Sequence, residues 1–132
     1  MNSTTRKPIV QSYRDLEVYK AAFKLQQAVF KVSKKFPREE MYSLTDQVRR
    51  SSRAIGANLA EAWAKRRYEA HFLSKLTDSD GELQETTHWI DSAYACEYLT
   101  ESQHSWFIEH IQSIGAMLGK MIATHASFCI SR

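Results

Sequence analysis

The sequence predicts an all-α protein, an up-down-up-down antiparallel four-helix bundle. Apolar residues recur at helical spacing over nearly all of the chain after residue 13, and no segment keeps the alternation of a strand. Proline occurs only at positions 8 and 37, outside the periodic stretches. The segments between these stretches are short, and short connections place consecutive helices antiparallel to one another.

Helix 1 is predicted from about Tyr13 to Phe36, because Pro37 disfavours helix in the residue before it. It carries two apolar seams on nearly opposite sides of the helical wheel, whereas a helix of an isolated bundle needs only one. The first seam consists of Val18, Ala22, Leu25, Val29, Val32 and Phe36, and the second consists of Leu16, Tyr19, Phe23 and Phe30. Between the two seams lies a lysine stripe, which consists of Lys20, Lys24, Lys31 and Lys35.

Helix 2 is predicted to begin after Ser43, a potential N-cap supported by Asp46, and to end near Lys65. The face opposite its core carries small residues where a solvent face would carry long polar ones. We therefore expect this helix to be buried on two sides. The core face consists of Leu44, Val48, Ile55, Leu59 and Ala62. The opposite face consists of Arg49, Arg53, Ala57, Ala60 and Ala64, with Gly56 beside it. A polar edge is predicted to form hydrogen bonds across a helix boundary, and it consists of Gln47, Ser51, Asn58 and Glu61.

Helix 3 is predicted from about Tyr68 to Leu99. It passes through residues 77–81, whose Asp, Ser and Gly are poor helix formers, because one apolar face continues across them at helical spacing. Read as a calcium loop, the same segment lacks carboxylates where a loop needs them. Thr100 and Gln103 form a capping box that opens helix 4, which is predicted to run to about Phe128.

Composition indicates one ordinary globular domain, with 43% hydrophobic and 25% charged residues among 132. Residues 1–12 are predicted to be a disordered tail before a bundle over residues 13–132. That tail lacks the apolar stretch of a signal peptide, and no apolar run approaches a membrane span, so a cytoplasmic location is expected. Cys96 and Cys129 lack paired metal-ligand spacing and are expected to be reduced, buried thiols.

Charge is divided unevenly along the chain. Residues 1–67 hold 15 Lys or Arg against 6 Asp or Glu, a net charge of +9, whereas residues 68–132 hold 3 against 9, a net charge of −6. This asymmetry indicates an anionic partner or contact between opposite halves of two copies; two solvated faces of opposite sign are the alternative. One flank of helix 3 is acidic and carries a tryptophan, which suggests a head-to-tail contact that can close into a ring. Its residues are Asp78, Glu82, Glu85 and Trp89.

Metal and catalytic chemistry find little support. Two Glu-x-x-His pairs, Glu85 with His88 and Glu101 with His104, match the spacing of di-iron bundle sites, but they fall at different levels of the bundle and cannot share a metal pair. His125 is expected to be a buried core histidine. No nucleophile elbow or phosphate loop occurs. We therefore expect a protein without cofactor, metal or enzymatic activity.

One part of the sequence resembles a known family. It includes the run Phe36-Pro37, then Leu44-Thr45-Asp46-Gln47-Val48-Arg49-Arg50, then Asn58-Leu59-Ala60-Glu61, and the resemblance covers about residues 13–125. The family is that of four-helix bundle proteins called S23 or 23S rRNA intervening-sequence proteins, which include the accessory variability proteins of diversity-generating retroelements. The resemblance implies an up-down bundle assembled as a homopentamer. For the retroelement members it also implies a basic surface that engages nucleic acid and a reverse transcriptase. The glycines that usually follow Asn-x-x-Glu in the family are absent from the segment after Glu61.

Two sets of residues are therefore candidates for binding. The first set can contact phosphates without reading sequence, although Arg49 and Arg53 can instead pair with acidic residues of a neighbouring subunit. The second set is the expected subunit interface. A purely protein-binding structural or regulatory adaptor is the alternative function. The phosphate-contact candidates are Arg49, Arg50, Arg53, Lys65, Arg66 and Arg67, and the interface candidates are Ala57, Ala60, Ala64, Asp78, Glu82, Glu85 and Trp89.

Overall fold

The structure is a computed structural model that describes residues 9–130. Four α-helices follow one another: α1 (Glu17–Ser33), α2 (Leu44–Ala64), α3 (Glu69–Ala95) and α4 (Glu101–Ala123). Each helix packs against its neighbours in sequence, and α4 packs against α1, which confirms the predicted four-helix bundle. Residues 1–8 of the predicted tail lie outside the described residues, as do residues 131–132 of the predicted bundle.

The region predicted as the start of helix 1 contains a separate 3₁₀ turn, Tyr13–Asp15. Ser12 and Asp15 form a capping box around it, because the Ser12 hydroxyl accepts from the Arg14 amide while the Asp15 carboxylate accepts from the Ser12 amide. The Gln11 amide, which is the largest cause, and the Ser12 amide donate to the Asp15 carboxylate and hold its pKa below its ordinary value. Leu16 is then extended, and α1 begins at Glu17.

Helix α2 begins where it was predicted to begin, and Ser43 is its N-cap residue, but the Ser43 side chain makes no capping hydrogen bond. The Ser43 hydroxyl donates to the Glu40 carboxylate (2.7 Å), which also accepts from the Leu44 amide (3.4 Å). Glu40 in addition accepts from the Tyr98 hydroxyl (2.9 Å), so one carboxylate joins the start of α2 to the loop after α3. The prediction of Ser43 as a side-chain cap is therefore wrong.

Helix α3 passes through residues 77–81 without a break, as predicted, but it ends at Ala95 and not near Leu99. Its end is a Schellman motif, in which the Tyr98 amide donates to the Ala93 carbonyl and the Glu97 amide donates to the Tyr94 carbonyl. Glu97 adopts the left-handed conformation that this motif requires, with φ of 65°.

Helix α4 opens with the predicted capping box of Thr100 and Gln103, and it is followed by a 3₁₀ turn, His125–Phe128. The chain then returns to the opposite corner, where the Ile130 amide donates to the Arg66 carbonyl. His125 is only half-buried. Its Nε2 lies 2.8 Å from the Glu69 carboxylate, so the expectation of a buried core histidine is wrong.

The core fills the space between the four helices with residues at the predicted apolar positions. Helices α2 and α3 pack most closely, because small hydroxyl residues lie between them, whereas α1 and α4 make the least extensive contact of the neighbouring pairs. The central buried side chains are Leu25, Val29, Val48, Ile55, Leu59, Phe72, Leu76, Leu83, Ile90, Phe107, Ile114 and Leu118. Within residues 9–130, no helix has the combination of length and apolar character that crossing a bilayer requires.

Candidate nucleic-acid and subunit interfaces

Three cations surround one aromatic ring where α1 meets α2. The guanidinium carbon of Arg49 lies 4.9 Å from the centre of the Phe30 ring, that of Arg53 lies 5.6 Å from it, and Lys34 Nζ lies 4.7 Å from it. Arg49 also donates from Nε to the hydroxyl of Ser33 (2.8 Å). These contacts hold Arg49 in place without neutralising its charge, and we call the group of Phe30, Lys34, Arg49 and Arg53 the α1–α2 cation cluster. Phe30 and Lys34 were not among the sequence candidates, although Phe30 belongs to the predicted second seam.

The two basic groups predicted on helix 2 do not come together. Twelve residues separate Arg53 from Lys65, which corresponds to about 18 Å along the helix. Arg66 is committed to its own subunit, because its guanidinium carbon lies 3.7 Å from the centre of the Trp63 ring and its Nε donates to the Trp63 carbonyl (2.9 Å). Arg67 and Arg50 are exposed, and Lys65 is half-buried.

On the acidic flank of α3, Asp78 and Glu85 are exposed, whereas Glu82 and Trp89 are half-buried. Burial raises the pKa of Glu82, and the neighbouring charges of Glu85 and Asp78 raise it further. Lys75 Nζ lies 3.8 Å from Asp78, whereas Glu82 and Glu85 have no cation within 4 Å in the described part of the chain. The Trp89 indole donates to the Glu85 carboxylate (3.1 Å). The flank of Asp78, Glu82, Glu85 and Trp89 thus carries negative charges that its own subunit leaves largely unneutralised.

Two polar contacts between α2 and α3 show which residues share a height along the bundle. The hydroxyls of Thr86 and Ser51 lie 2.9 Å apart, and the Ser79 hydroxyl donates to the Ile55 carbonyl (2.8 Å). Because α2 and α3 are antiparallel, the segment 49–53 is level with about residues 83–88. The α1–α2 cation cluster therefore lies level with the middle of the acidic flank, around Glu82 and Glu85, on a different side of the subunit.

The small residues of α2 are only partly covered within the subunit. Gly56 is buried beneath Tyr19, and a Cβ atom added there would lie 3.3 Å from the Tyr19 ring. Ala57 and Ala64 are exposed and Ala60 is half-buried. Phe23, in the same predicted second seam of helix 1 as Tyr19, is 45% exposed. One chain thus covers part of the second apolar face, and the rest remains open.

A cavity of about 610 Å³ opens at the end of the bundle where α2 begins. The network around Glu40 forms part of its wall, together with Trp89 and the exposed Cys96. Hydrogen bonds from Ser43, the largest cause, and from Tyr98 hold the pKa of Glu40 below its ordinary value. The same bond to Glu40 raises the pKa of Tyr98 to about 12. The expectation that both cysteines are buried is wrong for Cys96, while Cys129 is half-buried.

The polar edge of α2 bonds differently from the prediction. The Asn58 amide donates to the Ala54 carbonyl of its own helix (3.0 Å), so the prediction that it bonds across a helix boundary is wrong for this donor. Glu61 does reach across, because Lys75 of α3 donates to its carboxylate (3.4 Å). Ser51 and Thr86 form the buried part of the same boundary.

The residues of the two Glu-x-x-His pairs do not form a common site, and two of them contact other residues instead. His104 lies 2.8 Å from the Asp91 carboxylate, which ties α4 to α3, and the Glu85 carboxylate accepts from Trp89. Within residues 9–130, no three histidine, cysteine or acidic side chains converge on one point. Over the same residues, every buried side-chain nitrogen and oxygen has a hydrogen-bond partner.

These observations define a class of protein: an up-down four-helix bundle with oppositely charged outer faces. The sequence profile described as 23S rRNA-intervening sequence protein matches residues 14–120, and the chain belongs to that family. The structure is similar to the crystal structure of a protein with unknown function from the S23 ribosomal protein family of Bacteroides thetaiotaomicron. The two superpose with a TM-score of 0.73 at 25% sequence identity, over 80% of this chain and 95% of that one. A search of curated proteins finds no match. The resemblance predicted from the sequence is therefore confirmed.

Proposed function

We propose that this chain is a non-catalytic scaffold that assembles side by side into a ring and offers basic surfaces to nucleic acid or to a ribonucleoprotein or reverse-transcriptase partner. The family resemblance implies five subunits. The observation that carries the proposal is the pair of oppositely charged faces at one height, the α1–α2 cation cluster and the acidic flank of α3.

Equal height favours a cyclic assembly. A rotation about an axis parallel to the helices moves every residue around the axis and leaves its height unchanged. The cation cluster of one subunit can then meet the acidic flank of the next, and the same contact repeats around the ring as a heterologous interface. Arg49 and Arg53 belong to this contact in our assignment, opposite Glu82 and Glu85.

Apolar contact must supply most of the stability of such a ring. Exposed ion pairs contribute only about 0.2–1 kcal/mol each, so the charges act mainly by setting orientation and register. Phe23, Ala57 and Ala60 offer an open apolar surface beside the cluster, and Trp89 offers a large ring beside the acidic flank. Small side chains such as alanine allow another backbone to approach closely.

Sizing tests the assembly. Size-exclusion chromatography with light scattering should give a mass several times that of the 15.3 kDa chain. Arg53→Glu and Glu85→Arg should each lower that mass, and the two changes together should restore it, because the pair is then reversed. Glu101→Arg, at the exposed start of α4, is the matched control and should have no effect. A wild-type mass of one chain, or no recovery in the double variant, would refute the assignment.

The cations that this assembly leaves unused are the phosphate-contact candidates: Arg50 and Arg67 are exposed, and Lys65 is half-buried. Within residues 9–130 no aromatic ring holds any of the three. A ring repeats each of them several times, so weak contacts add through avidity. Binding of this kind should fall steeply with salt and show little sequence preference.

A titration of labelled RNA at two salt concentrations tests this part. The change of Lys65 and Arg67 to Gln should lower the slope of log affinity against log salt by about 0.7 for each phosphate that the protein no longer neutralises. Arg66→Gln is the control, since Arg66 lies on Trp63 and donates to its carbonyl. The ring mass should remain that of the wild type in both variants. Equal slopes in all three proteins would contradict the assignment.

A protein-binding adaptor is the second candidate. The connection between α1 and α2 exposes Tyr42 by 94% and Met41 by 46%, beside the cavity that Trp89 lines. Exposed apolar side chains clustered beside a cavity favour a protein partner. Absence of RNA binding at low salt, with an intact ring, would favour this candidate over the first.

A further inference from the structure

A second basic surface lies on the other side of α1, in the groove between α1 and α4. A cavity of about 160 Å³ opens there, and its walls are almost wholly apolar. Cavities of about 150 Å³ are large enough to hold a benzene ring. The lining residues are Ala28, Lys31, Val32, Gln103, Trp106 and Phe107.

Trp106 is the aromatic wall of this cavity. The His110 ring stacks on the indole, with ring centres 3.7 Å apart, and Phe107 meets it edge to face at 5.2 Å. His110 lies one turn below Trp106 and does not line the cavity, whereas Gln103, one turn above, does. His110 thus covers one face of the indole, and Trp106 itself lines the cavity.

The predicted lysine stripe borders the same groove. Lys24 Nζ lies 6.0 Å from the centre of the Trp106 ring, and Lys31 lines the cavity. Seven residues separate the two lysines, which is about 10.5 Å along the helix, so the two charges border the groove about two turns apart. Of the stripe, only Lys20 has a carboxylate within 4 Å in the described part of the chain, that of Glu17.

No carboxylate comes from the α4 side of the groove. The α4 residues that share a cavity wall with α1 are Gln103, Trp106, Phe107, Met117, Lys120 and Met121, and none of them is acidic. Glu109 lies on the outer side of the helix and makes no ion pair within residues 9–130. The groove is therefore cationic around an apolar, aromatic cavity.

We infer that the α1–α4 groove binds single-stranded nucleic acid, with one unpaired base in the cavity against Trp106 and the flanking phosphates on Lys24 and Lys31. Single-strand binding combines these two components, a positive groove along the backbone and aromatic rings on which bases stack. A base within a duplex is already stacked and paired, so a duplex would contact the lysines alone. The inference rests on the proposed function and names the class of nucleic acid and a site for it.

The site is independent of the proposed ring contact. Helix α4 is diagonal to α2 in the bundle, and the α1–α2 cation cluster and the acidic flank both lie towards the α2 side. The α1–α4 groove therefore stays accessible in the ring. A strand bound there would pass over the outer surface of each subunit.

Fluorescence anisotropy of a short labelled RNA, single-stranded or annealed to its complement, tests the inference at low salt. The single strand should bind at least about fivefold more tightly than the duplex. Ala28→Leu fills the cavity and keeps every charge, so it should lower single-strand affinity about fivefold without changing the salt slope. Lys24→Gln with Lys31→Gln should lower that slope by about 1.4.

Arg14→Gln with Arg38→Gln is the matched control, because it removes two exposed charges that belong neither to the groove nor to the α1–α2 cation cluster. Thermal melts and sizing establish whether each variant is folded. If Ala28→Leu does not fold, the double change of Lys24 and Lys31, which are exposed, still tests the inference. No binding of either RNA form would overturn the proposed nucleic-acid function itself. Equal affinity for both forms, with no effect of Ala28→Leu, would overturn only the inference. Complete competition by free adenosine monophosphate would also overturn it, since the site would then take a mononucleotide.

Discussion

Glu40 shows how one side chain joins distant segments. Its carboxylate accepts from Ser43 and Leu44 at the start of α2 and from Tyr98, which is 58 residues away in the chain. Ser43 is the cap that the local sequence predicts. The contact of Glu40 with Tyr98 depends on the position of Tyr98, which is known only once α3 and α4 are packed. The network therefore could not be predicted from local sequence.

Tyr98 should titrate separately from the other tyrosines. Its pKa is raised from 10.0 to about 12, so the bond to Glu40 stabilises the fold fully below pH 10 and this contribution is lost as the pH rises towards 12. The pKa of Glu40 is lowered, so its contribution is present above pH 4.5 and is lost as the pH falls through its folded pKa. Absorbance at the tyrosinate band should show one of six tyrosines ionising late, and Tyr98→Phe should remove that component. The absence of a component that ionises near pH 12 would contradict the bond.

Replacement of Glu97 by glycine should stabilise the folded protein. A side chain with φ of 65° costs about 1 kcal/mol relative to glycine, because its Cβ lies close to the following carbonyl. Glu97→Gly should therefore raise the free energy of unfolding by about 1 kcal/mol. Chemical denaturation measures this, with Glu101→Gly, a nearby exposed glutamate of α4, as a control that should destabilise. A loss of stability in Glu97→Gly would show that Glu97 makes a favourable contact in the folded state.

At the scale of elements, the sequence predicted the number, order and cores of the helices correctly. The long apolar periodicity of the sequence predicted them. It also predicted correctly that helix 3 continues through residues 77–81, which are poor helix formers. The ends were less accurate. The predicted end of helix 3 was about four residues late because Glu97 occupies the position where a glycine would have signalled the stop. The 3₁₀ turn before α1 has no periodicity of its own and was merged with the helix.

Two glycines inside helices should respond differently to alanine. Gly81 of α3 has no atom within 4 Å of an added Cβ, so Gly81→Ala should gain the full helix propensity of about 0.8–1.0 kcal/mol. At Gly56 of α2 the added Cβ would lie 3.3 Å from the Tyr19 ring, so Gly56→Ala should gain less or lose stability. Denaturation of the two variants side by side measures the difference. An equal gain at both sites would mean that Tyr19 moves away without cost.

At the scale of the whole molecule, the sequence predicted which residues of one helix form a charged face. It predicted less readily which residues of different helices come together. The acidic flank and the split charge are visible as patterns in one helix or one half. The α1–α2 cation cluster is not, because Phe30 and Lys34 come from a different helix from Arg49 and Arg53. The α1–α4 cavity likewise combines Ala28 and Val32 with Trp106, and only packing shows the gap between them.

Ala57 provides a test of the proposed assembly that does not depend on the charges. Ala57→Glu places a carboxylate on the exposed back of α2, where the proposed contact would bury it without a partner. The mass in solution should fall towards one chain, while the helix content by circular dichroism is retained. Ala116→Glu, at an exposed position of α4, should leave the mass unchanged. A full-size assembly in Ala57→Glu would place the contact elsewhere.

The equal height of the two charged faces has a geometric consequence for any chain of such contacts. A subunit whose two faces were offset along the helix axis would climb by that offset at every step, and repeated contacts would build an open spiral. An offset of one helical turn, about 5.4 Å, would displace the sixth subunit by about 27 Å from the first and prevent closure. It would convert a finite particle into a growing filament, which electron microscopy would reveal directly.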